Sequence, residues 1–176
     1  PDLWNPEHPA LYTLILETAE ETIGQKVGIR RIDIRGNVIY MNGVNFKIKG
    51  TNRHDSDPYT GAAISRQQLM KDLKLMKEHN INGIRTSHYP NAPWATQLYD
   101  QYGFYVMDEA DLESHGCENI YGGGIRRGDN QEIQYERTYV LLMRDPSYEK
   151  AVVDRIQDLV HPDKNCASVF SWSMGN

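Results

Sequence analysis

After Gly50 the chain changes rhythm, and no other feature limits its fold as much. From there on, one-sided helical patterns alternate with short apolar runs. Ser65 with Gln68 forms a capping box, and Leu69, Leu73 and Met76 follow at helical spacing, so a helix is expected from Ser65 to His79. Ile81 to Thr86 reads as a short strand. Asn91 is expected to cap a second helix with Trp94, Leu98 and Tyr102 on one face, and Gly103 to end it. Phe104 to Met107 is the next strand. Asp145-Pro146 opens a third helix with Tyr148, Val152, Ile156 and Leu159 on one stripe, and Ala167 to Ser173 is the last strand. Repeated strand-helix units call for parallel strands and right-handed crossovers, in a barrel or an open sheet. With a first strand at 44–51, they make about four units, half of an eight-stranded (β/α)8 TIM barrel.

The stretch before Gly50 reads as β structure. Leu11 to Glu17 and Lys26 to Ile34 are strand-like, Arg35-Gly36-Asn37 turns into Val38-Ile39-Tyr40, and Asn42-Gly43 is a hairpin signal before Val44 to Lys49. Short strands with turns between them suggest the end of a β-sandwich, with too few strands to complete one. The 26 residues or so between Cys117 and Arg144 are too long for an ordinary loop of a strand-helix unit and are expected to lie over the active face.

Composition excludes several function classes. With 39% hydrophobic and 24% charged residues the chain is of the soluble globular type, and a net charge of -5 with no basic stripe argues against nucleic acid. No apolar run approaches a membrane span, and PDLWNPEHP is no signal peptide. Cys117 and Cys166 lack metal-like spacing, and thiols this sparse suggest a reducing, cytoplasmic compartment. The absence of an initiator methionine and a C-terminus just past a strand-like run point to a fragment. Half a barrel has an open edge and an uncovered interior, so association, as a homo-oligomer or through those edges, is expected.

Polar clusters sit where the four strands end. The first runs into Gly50-Thr51-Asn52-Arg53-His54-Asp55, the second into Arg85 to Asn91, the third into the acidic DEADLESHG, and the fourth into Ser171-Trp172-Ser173-Met174-Gly175-Asn176. In a barrel the carboxyl ends of neighbouring strands converge on one mouth, so distant segments become one pocket. His54 and His88 are expected to share it. Arg85 fits either a sugar contact or an ion pair that stiffens the floor. Glu109 and Asp111 read as a solvated acidic loop, whereas the alternate spacing of Glu113 and His115 aims both at one side, as a metal pair needs.

GTNRHDSDPYTG, IRTSHYPN, GFYVMDEADLESHG and SVFSWSMGN, in this order, resemble the β-galactosidase branch of the family-two glycoside hydrolases, over nearly the whole chain. The resemblance implies that 1–43 is the end of an immunoglobulin-like sandwich and 44–176 the first half of a TIM-barrel catalytic domain. By position, His54 and His88 match histidines that bind sugar hydroxyls and stabilise the transition state. Asn176 matches the asparagine that contacts the sugar 2-hydroxyl. Glu113 and His115 match two ligands of an active-site magnesium; chemistry alone leaves manganese or zinc open, since magnesium prefers oxygen. Trp172 would lie on the barrel floor near the sugar or in the core.

Two departures, Asp55-Ser56-Asp57 and His161-Pro162-Asp163-Lys164-Asn165-Cys166, bear on local loop shape. The Glu-x-His pair favours a β-galactosidase over a β-glucuronidase or β-mannosidase. In the family the acid/base glutamate follows the asparagine matched by Asn176 and the nucleophile lies on a later strand. The expectation is therefore a parent enzyme that hydrolyses terminal β-D-galactosides with retention, and a 176-residue chain inactive alone. Two rival readings are a hydrolase in which His54, His88, Glu113 and His115 bind one ion, and a non-catalytic sugar-binding module.

Overall fold

The protein is seen here in a computed structural model that describes residues 1–117 and 144–176. Its central element is a four-stranded parallel sheet in sequence order, β6 (Gly50–Arg53), β7 (Gly83–Thr86), β8 (Tyr105–Glu109) and β9 (Val169–Ser173). Helices α1 (Arg66–Glu78), α2 (Ala95–Tyr102) and α3 (Glu149–Asp163) lie between successive strands in the chain. The sequential parallel order is that of half a (β/α)8 barrel. β1 (Tyr12–Glu17) pairs with β2 (Thr22–Val27) as an exposed antiparallel ribbon, and β3 (Ile32–Arg35), β4 (Val38–Met41) and β5 (Val44–Asn45) form an antiparallel meander.

Strand alternation sorts the barrel residues. On one face Ile84, Val106 and Val169 pack with Leu69, Leu73, Ala95, Leu98, Tyr99 and Phe104, closing the layer between sheet and helices. On the other, Tyr105 stacks on Phe46 at 4.2 Å between ring centroids, and Phe170 meets both rings edge-on. Trp4, fully buried, joins this second cluster with Met41 and Ala167. Its indole donates to the carbonyl of Asp100 at 2.9 Å, and its own carbonyl accepts from Asn42 Nδ2 at 3.0 Å, so the extreme N-terminus is stapled to the barrel.

Several local expectations are corrected. The Lys26 to Ile34 run splits between β2 and β3, with Gly28 between them pressed against Trp4 and Ala167. The strand expected at 44–51 is two: Val44–Asn45 closes the meander, and the barrel strand starts only at Gly50. Ser65 caps α1 by accepting from the Gln68 amide at 3.1 Å, but the Gln68 side chain turns to Asp72 instead of closing the capping box. Asn91 caps nothing: α2 begins after Trp94, and Asn91 accepts from the Tyr99 hydroxyl while its amide reaches Asp55. Gly103 ends α2 at φ 73°, where an added Cβ would collide with the carbonyl of Pro6. Asp145 opens a 3-10 turn, Pro146–Tyr148, that leads into α3, of whose apolar stripe only Leu159 is buried. The segment expected to lie over the active face falls outside the described residues.

Candidate active site

β7 and β8 pair with Ile84 opposite Val106 and Arg85 opposite Met107. Because Ile84 and Val106 face the helices, Arg85, Met107 and, two residues on, Glu109 point to the concave side. There an open trough of about 240 Å³, lined by Ile48, Thr51, Tyr105, Met107 and Phe170, runs up to Arg85. Above it the strand ends hold the polar groups.

Glu109 is the centre of that rim. It is 0% exposed, and its carboxylate accepts from Arg85 Nη2 at 3.0 Å, Ser173 Oγ at 2.6 Å and Arg85 Nε, and its Oε1 lies 2.7 Å from His88 Nδ1. Burial opposes ionisation, but the hydrogen bonds from Arg85, Ser173 and His88 outweigh it and hold the carboxyl below the usual glutamate range. The reading of Glu109 as a solvated loop residue is therefore wrong, while Asp111 is exposed as expected. Tyr105 and Met107 on the inner face, with an arginine across on β7, are the signal that places it: β8 runs two residues further than its apolar letters.

From Glu109 the network reaches every polar segment. Arg85 Nη2 also donates to Asn176 Oδ1 at 3.1 Å, and Asn176 Nδ2 donates to Glu113 Oε2 at 3.0 Å. Glu113 Oε1 lies 2.6 Å from His115 Nδ1 and accepts from the His115 amide at 3.1 Å. On the other side the rings of His54 and His88 meet edge to face, 5.3 Å between centroids, with Tyr89 beside His54. Asp55, second after the strand, is held by Arg53, which also binds Asp72 at 2.9 Å. The peptide bond between Ser87 and His88 is cis. Trp172, level with Asp108 in the register, is 39% exposed on β9, the last strand of the described sheet. The residues that reading the chain missed are Glu109, Ser173 and Tyr89.

Asp108 points the other way, into the layer under the helices. It is 0% exposed; Thr86 Oγ1 donates to its Oδ1 at 3.0 Å, and its Oδ2 has no partner other than the neighbouring carboxyl of Asp163. Burial, then the proximity of Asp163, pushes the Asp108 carboxyl up to about 7. Asp163, bound by Thr96 at 3.0 Å, is also raised by burial.

Glu113 and His115 face each other across their short contact, and burial of the Glu113 carboxyl is outweighed by its bonds to Asn176 and His115, which hold it below the usual range. One oxygen and one nitrogen donor fit part of a divalent-ion site; among the described residues no group of three or more His, Cys, Asp or Glu side chains completes one. For the same reason the described residues give no support to a single ion held by His54, His88, Glu113 and His115 together. Among the described residues no helix is long and apolar enough to cross a membrane.

Comparison with known proteins adds a further finding. Residues 32–176 match the glycosyl hydrolases family 2 TIM barrel domain, and residues 1–30 a second glycosyl hydrolases family 2 domain. A beta-galactosidase of Actinobacillus pleuropneumoniae is 50% identical over 99% of this chain, and one of Staphylococcus xylosus 47% identical over 100% of it. The chain spans 18% and 17% of the length of those two relatives. Among solved structures, Faecalibacterium prausnitzii beta-glucuronidase superposes with a TM-score of 0.77 at 31% identity, over 99% of this chain and 26% of that one. Ruminococcus gnavus β-glucuronidase does so with a TM-score of 0.78 at 26% identity, over 100% of this chain and 28% of that one.

Proposed function

Because this chain belongs to glycosyl hydrolase family 2, we propose that it supplies one wall of the sugar site of a retaining β-galactosidase acting on terminal β-D-galactosides. The observation that carries this reading is the identity of 50% and 47% to proteins named beta-galactosidase across essentially the whole chain, against 31% and 26% to the β-glucuronidases. The Glu113-x-His115 pair agrees with it.

In this reading His54 and His88 offer ring nitrogens to the sugar hydroxyls, and Asn176 offers its side-chain amide to the 2-hydroxyl. Arg85 supports Asn176 through its Oδ1 and, by pairing with Glu109, puts a fixed positive group at the floor. Glu113 and His115 would hold magnesium, with manganese as a substitute. When bound, such an ion supplies positive charge and orientation beside the sugar. Retention requires two carboxyl groups about 5 Å apart, and the family pattern puts both beyond Asn176. Glu109 and Asp108 are unsuited to either role: one is saturated by donors and the other sealed under the helices.

The test compares this chain with a polypeptide that continues past Asn176 in the same gene, using nitrophenyl β-galactoside, β-glucuronide and β-mannoside. The longer polypeptide is expected to prefer the galactoside, and the 176-residue chain to turn over none of them. Preference for the glucuronide would reassign the substrate, and turnover by the short chain would overturn the placement of the reactive carboxyls. Among the described residues β6 and β9 are each paired on one side only, and such edges suit association with further strands or a second copy, which sedimentation would report.

A further inference from the structure

We propose that Glu109 is the positioning residue of this wall: by accepting the Nδ1 hydrogen of His88 it fixes the tautomer of that ring with Nε2 bare, and by clamping Arg85 it sets the side-chain amide of Asn176. That Nε2 meets a sugar rests on the galactosidase reading above; that Glu109 sets the tautomer does not.

An ionised carboxylate only accepts hydrogen bonds. Glu109 is surrounded by donors, two from Arg85 and one from Ser173, and its Oε1 lies 2.7 Å from His88 Nδ1. Nδ1 must therefore carry the hydrogen, and a neutral His88 is left with an unprotonated Nε2. In water a neutral imidazole holds its proton mainly on Nε2, so the carboxylate selects the less common form. The carboxylate itself is withdrawn from solvent, so its lone pairs are left to these donors. Among the described residues Nε2 of His88 has no hydrogen-bond partner, and the side chain keeps 22% exposure, on the rim beside His54. A bare Nε2 accepts from a sugar hydroxyl, whereas the other tautomer would present a donor in its place.

The second arm runs through one guanidinium. Arg85 Nη2 is shared between Glu109 Oε1 and Asn176 Oδ1, at 3.0 and 3.1 Å. With Oδ1 engaged by that donor, the Asn176 amide nitrogen is turned the other way, to Glu113. One buried carboxylate therefore fixes the orientation of two groups that follow different strands, β7 and β9.

The deciding measurement is nitrogen-proton NMR of the 176-residue chain with labelled histidine, at about pH 8.5, above the ordinary imidazole range. His88→Gln identifies the resonances. The wild type is expected to show the Nδ1-protonated form, Glu109→Ala the Nε2-protonated form, and Ser173→Ala the wild-type form. An Nε2 proton in the wild type, or an unchanged tautomer in Glu109→Ala, would overturn the inference, and if the alanine variant fails to fold the wild-type signal alone decides. In the longer polypeptide, Glu109→Gln is expected to lower kcat about 100-fold with a smaller change in KM, and to cost less in a His88→Ala background, where only the arm through Arg85 and Asn176 remains. Equal loss in both backgrounds would reduce Glu109 to a structural role. Failure of the wild-type long polypeptide to hydrolyse the galactoside would remove the galactosidase reading and leave the tautomer result standing.

Discussion

Asp108 and Glu109 are neighbours on β8, both fully withdrawn from solvent, yet their carboxyl groups are driven in opposite directions. Glu109 faces the concave side and meets an arginine, a histidine and a serine; Asp108 faces the helices and meets one threonine and another carboxyl. Depth is the same, so depth does not decide charge. What decides it is how many donors the surroundings present, and strand alternation assigned the two residues to different surroundings. The polar side of the strand suits a site, and the other side sets the Asp108 carboxyl beside that of Asp163 at the end of α3, both raised by burial.

The contrast breaks most severely if Glu109 loses its acceptors. Glu109→Ala leaves Arg85 and His88 facing an empty space, and breaking such a pair is expected to cost about 3–5 kcal/mol in urea denaturation. A loss under 1 kcal/mol would mean that water replaces the carboxylate.

The pH dependence separates the two sides next. For Asp108 the folded carboxyl is raised above its unfolded value of 3.8 to about 7, so the native state holds the proton longer and stability falls as pH rises between those values. Asp108→Asn keeps a donor toward Asp163 without the charge. Its advantage over the wild type is expected to grow through that window to on the order of 2–3 kcal/mol at pH 8. For Glu109 the sign reverses: its folded carboxyl lies below 4.5, so its contribution is present above that pH and fades as pH falls through the folded value. Thermal melts from pH 3 to 9 on the two variants should flatten opposite limbs of the stability curve, and flattening of the same limb by both would end the comparison.

Thr86 gives the smallest and sharpest test, because its hydroxyl serves both neighbours, donating to Asp108 Oδ1 at 3.0 Å and accepting from the Glu109 amide at 2.9 Å. Thr86→Val leaves that amide unpaired and is expected to cost about 1–2 kcal/mol, while Thr86→Ser restores most of it. Equal stability of the valine and serine variants would show that the hydroxyl does not bridge the two sides.

Much of this was legible in the chain. Periods of 3.6 and 2 located α1, the stretches that hold β7 to β9, and the polar segments at their ends, since repeating burial writes itself into repeating letters. His54 lies beside His88, and Glu113 beside His115, in segments that follow strands whose direction the alternation fixes. Glu109 was misread because a carboxylate at the end of an apolar run looks the same whether it meets water or an arginine 24 residues away. Asn91 was misread for a similar reason: its amide finds Tyr99 and Asp55, and no local pattern announces partners of that kind. Trp4 gave no signal at all, because its burial depends on Asn42, Gly28 and Asp100 coming together.

By itself the sequence determined the alternation of elements, the faces they bury and the order of the polar segments, because these follow from neighbours a few bonds apart. The tertiary structure decided which acids are charged, which tautomer His88 carries and where the N-terminus is pinned. Those properties depend on field and hydrogen-bond supply from residues 20 to 100 positions away, and only the closed fold brings such groups within about 3 Å of one another.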